Sequence, residues 1–269
     1  MLKIAVVNMK GGVGKTTTAV NLAAGLAARG RQVLLVDTDP QGTVGHALNV
    51  HPPRGLVQVM TGEVEAGDVV VRKVRDHLDV IATTTQGFAL ERQLAGLTQR
   101  ETILARRLLR LPDYDCVVLD TSPAMNLLTY NALLFADRVV VPVGMDSMAL
   151  IGARQTLNGV FEVQELWPER DLQVLAVLPT FVNPATVATR AALVALESDP
   201  QLRSNLYRRG IRQCIDLTYA TARQQTIWEY ARRSRAAEDY AAFVDFVVQE
   251  RFAFAEEAVH GQQEEKSFV

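Results

Sequence analysis

The sequence predicts an α/β fold with three layers, α/β/α, in which helices cover both faces of a mainly parallel, twisted sheet. Short apolar runs rich in β-branched residues alternate along the chain with segments of helical spacing. The first run, residues 4–7, leads into a glycine-rich turn and then into an alanine-rich helical segment, residues 19–29. Two later runs end in aspartate, at Asp37 and Asp120. Parallel sheets place ligands at such carboxyl ends.

The remaining elements follow from the same patterns. Each apolar run is bounded by turn residues, and each helical segment has apolar residues three and four apart. The further predicted strands cover residues 31–36, 78–83, 116–119, 137–143 and 172–181. The further predicted helices cover residues 92–111, 148–163 and 236–254. We expect one domain over residues 1–254 and an acidic, flexible tail over 255–269.

Composition limits the class of protein. Of 269 residues, 48% are hydrophobic and 22% are charged, which is ordinary for a folded globular domain. The two cysteines, Cys116 and Cys214, are far apart and lack the spacing of metal ligands. No run approaches the roughly 18 apolar residues of a membrane span, and the first strand is too short for a signal-peptide core. These features predict a cytoplasmic protein with reduced thiols.

The glycine-rich turn after the first strand has the chemistry of a phosphate-binding loop. Glycines at 11, 12 and 14 allow successive backbone N–H groups and the helix N-terminus to face one anion. Lys15 would then reach the β- and γ-phosphates of a nucleoside triphosphate, and the Thr16 hydroxyl would bind Mg²⁺. A turn that only joins a strand to a helix is the alternative, but the Gly-Lys-Thr ending and its flanking elements favour the phosphate loop.

One departure from the ordinary loop identifies a family. Met9 stands where the usual pattern has glycine, and a second lysine, Lys10, begins the turn. This deviant Walker A sequence resembles the signature of the ParA/MinD family of P-loop ATPases, and most of all the ParA/Soj-type partitioning ATPases. The resemblance implies the P-loop NTPase fold and a role for Lys10 at the nucleotide of a partner subunit, hence an ATP-sandwich homodimer. The alternative for Lys10 is a solvated loop lysine.

The aspartates fit the same resemblance. Asp37 and Asp39 share one face of an extended chain just after the second strand. The family resemblance makes this stretch switch I, in which Asp39 places the attacking water and Asp37 is a water-mediated metal contact. Asp120 ends an apolar strand, which is the Walker B arrangement that holds Mg²⁺ through water. The alternative for Asp37 and Asp39 is that they cap the next turn.

The predicted site is therefore spread over several segments. The predicted catalytic residues are Lys10, Lys15 and Asp39, and the predicted metal-binding residues are Thr16, Asp37 and Asp120. The predicted nucleotide-binding residues are Lys10, Gly11, Gly12, Val13, Gly14, Lys15, Thr16, Thr17 and Asn183. Asn183 is included because the family often frames the adenine base there, although Asn183-Pro184 is equally typical of a turn.

Charge is distributed unevenly along the chain. The net charge is −2, but residues 203–235 contain eight arginines opposed only by Asp216 and Glu229. Arginines that contact phosphates give DNA affinity without base recognition. The predicted DNA-binding residues are Arg208, Arg209, Arg212, Arg223, Arg232, Arg233 and Arg235. A solvated helical face is the alternative for these arginines.

The resemblance implies a ParA-like ATPase with ATP and Mg²⁺ as cofactors. Such proteins dimerise with ATP, bind double-stranded DNA without sequence preference, and release it when a ParB-like partner stimulates slow hydrolysis, so a nucleoid-associated protein is expected. The C-terminal segment departs from the family, with Arg212-Gln213-Cys214 where Pro-Arg-Asn is common and Tyr219-Ala220-Thr221 where Glu-Ala-Pro is common. These departures put the detailed DNA and partner contacts in doubt.

Four alternatives stay open. The same cycle could position another cargo, such as a chemoreceptor cluster or a carboxysome, in place of a chromosome or plasmid. A MinD-like membrane-cycling ATPase would need a basic amphipathic C-terminal helix, whereas this chain ends in a glutamate-rich stretch, and no membrane partner is expected. An iron–sulfur relative would need cysteine pairs. A nucleotide-binding scaffold without hydrolysis is the last alternative.

Overall fold

A seven-stranded sheet forms the centre of the protein in this computed structural model, which describes residues 1–84, 87–111 and 114–266. From residue 251 onward only the helical backbone is described. The strands are β1 Leu2–Val6, β2 Val33–Asp37, β3 Val71–Arg75, β4 Leu78–Ile81, β5 Cys116–Asp120, β6 Arg138–Gly144 and β7 Gln173–Thr180. Their order across the sheet is β3-β4-β2-β5-β1-β6-β7, and all neighbours are parallel except β3 and β4. The mainly parallel sheet predicted from the sequence is confirmed.

Helices connect the strands and cover both faces of the sheet. The helices are α1 Lys15–Ala27, α2 Thr43–Leu48, α3 Leu56–Thr61, α4 Gly87–Leu94, α5 Ile103–Leu108, α6 Leu127–Phe135, α7 Ala149–Leu166, α8 Val187–Ser198, α9 Ile215–Ala222, α10 Ile227–Ala231 and α11 Arg235–Lys266. Short 3₁₀ turns cover Ala66–Asp68, Arg100–Thr102 and Arg203–Asn205.

Two apolar cores lie on opposite faces of the sheet. Along β1, Ile4 and Val6 belong to the core beneath α1, α2, α9 and α11, while Ala5 belongs to the core beneath α3 to α8. This division follows from the alternation of side chains along a strand. Because both faces are buried, the inner strands are continuously apolar, as parallel strands usually are. The predicted three-layer α/β/α architecture is confirmed.

The helix predicted over residues 92–111 is wrong as a continuous element. α4 ends at Leu94, and the chain passes through a left-handed residue, Gln99 (φ 52°), before a 3₁₀ turn leads into α5. The buried side chain of Asn131 on α6 accepts a hydrogen bond from the Leu104 N–H at 2.9 Å and donates one to the Arg100 carbonyl at 2.8 Å. These bonds satisfy backbone groups that a continuous helix would have paired, so the break is set by a tertiary contact.

Other features of the structure were not predicted. β3 is an edge strand that pairs antiparallel with β4, and the short helices α2 and α3 occupy a region to which the sequence assigned no helix. α11 runs to Lys266, beyond the predicted end at residue 254, and residues 267–269 of the predicted tail lie outside the described residues. The domain boundary at residue 254 stays a prediction.

Two negative findings concern the described part of the chain. None of its helices combines the length and the apolar character needed to cross a membrane. Cys116 and Cys214 are both buried and form no disulfide with each other. Cys116 lies in the buried strand β5, as predicted.

Candidate functional site

The loop between β1 and α1 has the backbone of an anion-binding turn. Gly12 (φ 72°) and Gly14 (φ 85°) adopt the left-handed conformation, which glycine adopts without steric cost. A Cβ added at Gly11 or Gly12 would have no heavy atom within 4 Å, so this side of the loop is open. A ligand can therefore approach the backbone of the loop closely.

The start of α1 leaves its backbone donors available. Gly14 is the N-cap, no side chain of the described residues caps the helix there, and the first turn contains no acidic residue. The first N–H groups of a helix have no partner within the helix, and together with the helix dipole they attract an anion. This helix end therefore has the chemistry of a phosphate site.

Hydrogen bonds from outside the loop fix its position. The Thr180 hydroxyl at the end of β7 donates to the Val13 carbonyl at 2.8 Å. The Met9 N–H donates to the Thr156 hydroxyl on α7 at 3.1 Å. The loop is thus held at both ends by the sheet and by a neighbouring helix, so little ordering remains when a ligand binds.

Lys15 is the cation at the base of this loop. Its side chain is buried, and its ammonium group donates to the Lys10 carbonyl at 3.0 Å. Burial lowers the pKa of Lys15, and the negative charges of Asp120 and Asp39 partly offset that effect. A buried ammonium with spare donors beside an open loop is suited to bind phosphate oxygens.

Asp120 and Thr16 form a pair of oxygen ligands at the end of β5. The Thr16 hydroxyl donates to Asp120 Oδ2 at 2.7 Å and also lies 2.9 Å from the Thr43 hydroxyl. Asp120 is 0% exposed, and its second oxygen, Oδ1, has no hydrogen-bond partner among the described residues. Burial raises the pKa of Asp120 to about 7. An orphaned buried carboxylate oxygen costs free energy, which a bound cation would remove.

Asp37 and Asp39 lie beside this pair. Asp37 is in register with Asp120 on the neighbouring strand, and its two carboxylate oxygens accept the Asp39 and Val44 N–H groups, each at 3.1 Å. Asp39 Oδ1 accepts the Gln41 N–H at 2.9 Å. Both aspartates therefore do cap the following turn. Burial and then the charge of Asp120 raise the pKa of Asp37 well above its ordinary value.

The donor set fits Mg²⁺ rather than a metal held by protein alone. Within the described residues no group of three or more His, Cys, Asp or Glu side chains is arranged to hold a metal ion. Mg²⁺ commonly takes one or two protein oxygens, and phosphates and waters supply its other ligands. The Thr16 hydroxyl and the free oxygen of Asp120 are hard oxygen donors of this kind.

Lys10 makes an ion pair within its own chain. Its ammonium group donates to Asp146 Oδ2, just after β6, and its backbone N–H donates to Asn8 Oδ1 at 2.8 Å. Burial would raise the pKa of Asp146, but the hydrogen bonds from Lys10 and from the Met148 N–H together lower it. Lys10 is thus a paired side chain, not a freely solvated one.

A cavity of about 820 Å³ opens beside the phosphate loop. Its lining includes Thr17 from the start of α1 together with Phe181, Asn183 and Gln213. Asn183 donates to Gln213 Oε1 at 3.2 Å and accepts the Ala185 N–H at 3.2 Å, so it forms a turn and faces the cavity as well. The volume lies in the range of small-molecule sites.

Two residues at the site were missed. The predicted strand over residues 172–181 includes Phe181, but in the structure Phe181 follows the end of β7 and has a φ of 56°. Its ring lies so close to the loop that a Cβ added at Gly14 would be 3.4 Å away. Left-handed backbone is uncommon for an aromatic residue, and no feature of the sequence indicates it. Thr43 contacts Thr16, and its position just after the Asp37–Gly42 turn was the available signal.

The predicted DNA-binding arginines differ in their surroundings. Arg223, Arg232, Arg233 and Arg235 are exposed and make no side-chain ion pair with another described residue, whereas Arg208 lies 3.9 Å from Glu197. Arg212 instead binds both oxygens of the buried Asp239, at 2.8 and 2.9 Å, and Arg209 lies 3.4 Å from the same carboxylate. Arg212 is thus part of an internal network, and sequence spacing alone gives no sign of it.

Comparisons with known proteins agree on one family. The family model described as AAA domain matches residues 1–174. The chain is 36% identical to the sporulation initiation inhibitor protein Soj of Bacillus subtilis (strain 168) over 241 residues, which cover 88% of this chain and 94% of that protein. It is 37% identical to the chromosome-partitioning ATPase Soj of Thermus thermophilus over 250 residues, which cover 91% and 95%. The structure of cobyrinic acid a,c-diamide synthase from Mycobacterium smegmatis, with bound ATP analog and magnesium, has a TM-score of 0.80 at 30% identity and covers 93% of this chain and 95% of that one.

Proposed function

Because this chain belongs to the ParA/Soj family of P-loop ATPases with the deviant Walker A loop, we propose that it is a partitioning ATPase that cycles on DNA. It binds Mg–ATP, dimerises around two nucleotides and binds double-stranded DNA without sequence preference. A ParB-like partner stimulates hydrolysis and releases the DNA. The cargo is a chromosome or a plasmid, consistent with the name of the Thermus relative.

One observation carries the ATPase part of this proposal. The free oxygen of the buried Asp120 and the Thr16 hydroxyl lie together at the start of α1, beside the buried Lys15 and an open glycine loop. Left alone, this arrangement buries a carboxylate oxygen that has no hydrogen-bond partner among the described residues, which is unfavourable. A nucleotide with its magnesium ion would supply the missing partner, and membership of the ParA/Soj family points to the same ligand.

The residues then have distinct roles. The loop N–H groups and Lys15 hold the β- and γ-phosphates, while Thr16 and Asp120 hold Mg²⁺, with Asp37 as a water-mediated contact. When bound, Mg²⁺ neutralises the charge that develops on the phosphates. Asp39 orients the attacking water, since it lies next to Asp37 and has a second carboxylate oxygen that accepts no hydrogen bond from the described residues.

Dimerisation depends on Lys10 in this proposal. Lys10 must leave Asp146 to reach the nucleotide of the partner subunit, and the phosphate charge there is a stronger partner than a half-exposed carboxylate. ATP therefore favours the dimer. The adenosine moiety occupies the cavity beside Thr17, with Asn183 and Phe181 against the base.

DNA binding is assigned to the exposed arginines of the segment 203–235. Four of these arginines make no ion pair with another described residue, so no ion pair has to break when they contact DNA phosphates. They are Arg223, Arg232, Arg233 and Arg235. Arg208 and Arg209 also contribute to DNA binding, because their contacts with acidic side chains are long, 3.9 Å to Glu197 and 3.4 Å to Asp239. A dimer carries two such surfaces, so its affinity for DNA exceeds that of the monomer.

A DNA titration in three nucleotide states tests the proposal. Fluorescence anisotropy of a non-specific duplex is measured without nucleotide, with Mg–ADP and with Mg–ATP, for the wild-type chain and for Lys15→Ala. We expect tight binding only for the wild type with Mg–ATP, and calorimetry should show that Lys15→Ala has lost ATP affinity. DNA binding that is equal in all three states would refute the nucleotide-controlled cycle. Unchanged ATP affinity of Lys15→Ala would refute the phosphate-loop assignment.

A further inference from the structure

We propose that the protein has a second DNA-contacting surface, the edge cleft, which is lined by Arg72, Lys73, Arg75, Arg223 and His51. The inference rests on the proposed DNA-binding function and assigns part of it to a new place. Only Arg223 belongs to the basic segment found in the sequence. The cleft would bind the sugar-phosphate backbone of double-stranded DNA.

Three separate elements build the edge cleft, which has a volume of about 580 Å³. The edge strand β3 forms one wall, the segment 48–52 after α2 forms another, and the end of α9 closes it with Arg223 and Gln224. Basic groups that come from three directions can contact successive phosphates along a chain. A single small anion would need them to converge on one point.

The charge of the edge cleft is largely uncompensated. No acidic residue lines it among the described residues, and the Lys73 and Arg223 side chains make no ion pair there. Arg72 has a long contact, 3.8 Å, with Asp79 and also interacts with the Tyr114 hydroxyl, but its side chain stays more than half exposed. Arg75 forms an ion pair with Glu229 and donates a hydrogen bond to the Gln224 carbonyl at 3.0 Å. Its guanidinium therefore holds the cleft together and is not assigned to bind a ligand. Cations held in a concave surface focus a positive potential, which attracts phosphates.

A simpler explanation covers part of this pattern. Charged side chains on an edge strand prevent the sheets of different molecules from pairing. Arg223, however, lies at the end of α9 and not on the edge strand, yet it lines the same cleft. Arg75 also ties β3 to Glu229 on α10, which is followed directly by the exposed Arg232. The edge cleft is thereby continuous with the basic segment.

The edge cleft is connected to the nucleotide site by one short helix. The first residue of α2, Thr43, contacts the Thr16 hydroxyl, and its last residue, Leu48, lines the edge cleft. A six-residue helix spans only about 9 Å and moves as a rigid piece. A change of contacts at Thr16 on nucleotide binding is therefore transmitted to one wall of the cleft.

The test compares charge removal with charge retention in the full chain. Arg72→Gln/Lys73→Gln removes two exposed cations of the cleft that lie outside the basic segment, Arg72→Lys/Lys73→Arg retains their charge, and Arg110→Gln removes an exposed arginine elsewhere. Anisotropy with a non-specific duplex in Mg–ATP is measured over a series of salt concentrations. Each lost phosphate contact should lower the salt slope by about 0.9, so two contacts lower it by roughly 2 per protomer, with about a tenfold loss of affinity at low salt.

Each outcome separates the edge cleft from the proposed function. A reduced slope for Arg72→Gln/Lys73→Gln, with normal slopes for the other two variants and a normal ATP-dependent dimer in light scattering, supports the inference. An unchanged slope for Arg72→Gln/Lys73→Gln, or an equal loss in Arg110→Gln, overturns the edge cleft but leaves the proposed function standing. A wild-type chain that binds no DNA in any nucleotide state overturns both.

Discussion

Replacing Arg212 with alanine separates two possible roles of this residue, a contact to DNA and the stabilisation of the fold. Arg212 holds both carboxylate oxygens of Asp239, and its own backbone N–H also donates to this carboxylate at 3.0 Å. The Asp239 side chain is only 2% exposed, while that of Arg212 is 39% exposed. The substitution would leave a buried carboxylate with fewer partners. We therefore expect a loss of stability before any loss of DNA affinity is considered.

The size of this loss follows from the geometry. Removing one partner of a buried ion pair costs about 3–5 kcal/mol. The cost is smaller here because Arg212 is partly in solvent, and because Arg209 and the backbone N–H still face Asp239. We expect roughly 2–3 kcal/mol. For a domain of this length each kcal/mol lowers Tm by about 2 °C, so Tm should fall by about 4–6 °C.

Thermal denaturation without nucleotide measures this effect. Arg232→Ala is the matched control, because Arg232 is exposed and makes no ion pair with a described residue. Its stability should stay within about 0.5 kcal/mol of the wild type. In DNA titrations Arg232→Ala should show the larger loss of affinity when both variants are folded. A Tm of Arg212→Ala within about 1 °C of the wild type would refute the stabilising role.

Further predictions concern the proposed nucleotide site. Lys10→Ala should retain ATP binding but lose the ATP-dependent dimer, whereas Asp146→Asn should strengthen the dimer a few-fold because it frees Lys10. Light scattering checks both, and a persistent Lys10→Ala dimer contradicts the cross-subunit role. Asp39→Ala should slow phosphate release by about 10²-fold or more while the DNA-bound dimer persists, and hydrolysis at the wild-type rate contradicts its role. Burial raises the pKa of Asp120 from 3.8 to about 7, so the stability present below the unfolded value is lost as the pH rises through about 7. Urea denaturation of the nucleotide-free protein should show this fall between about pH 4 and pH 7, and Asp120→Asn should flatten it. An equally steep fall in Asp120→Asn would assign the titration to another group.

The elements of the fold that could be predicted are those that depend on local sequence patterns. The inner strands are unbroken apolar runs because both of their faces are buried, and such runs stand out in any sequence. β3 does not stand out as a strand in the sequence, because three of its five residues are cations and it lies at the edge of the sheet. The break between α4 and α5 depends on Asn131, which comes from a different helix, so helical periodicity continues across it in the sequence.

The same distinction applies to the candidate site. The residues from Lys10 to Thr17 are adjacent in sequence, so the motif itself determines the open backbone with left-handed Gly12 and Gly14. The ion pair of Lys10 with Asp146 joins residues 136 positions apart. The contact of Arg212 with Asp239 likewise depends on where α11 packs. The sequence identifies each charged residue but not its partner in the fold. The partner decides whether the charge is available to a ligand.

The contacts of Thr16 explain why nucleotide binding would change the affinity for DNA. The Thr16 hydroxyl contacts both Asp120 and Thr43 in this structure. A metal ion bound to this hydroxyl would take one of its lone pairs and so compete with the contact to Thr43, while the hydrogen bond to Asp120 can remain. Thr43 begins α2, and the Val44 N–H is bonded to Asp37 at the same site. On the proposed function, the end of α2 that lines the edge cleft therefore responds to the metal. Dimerisation through Lys10 then doubles whatever phosphate contacts this movement creates, so the two effects act in the same direction.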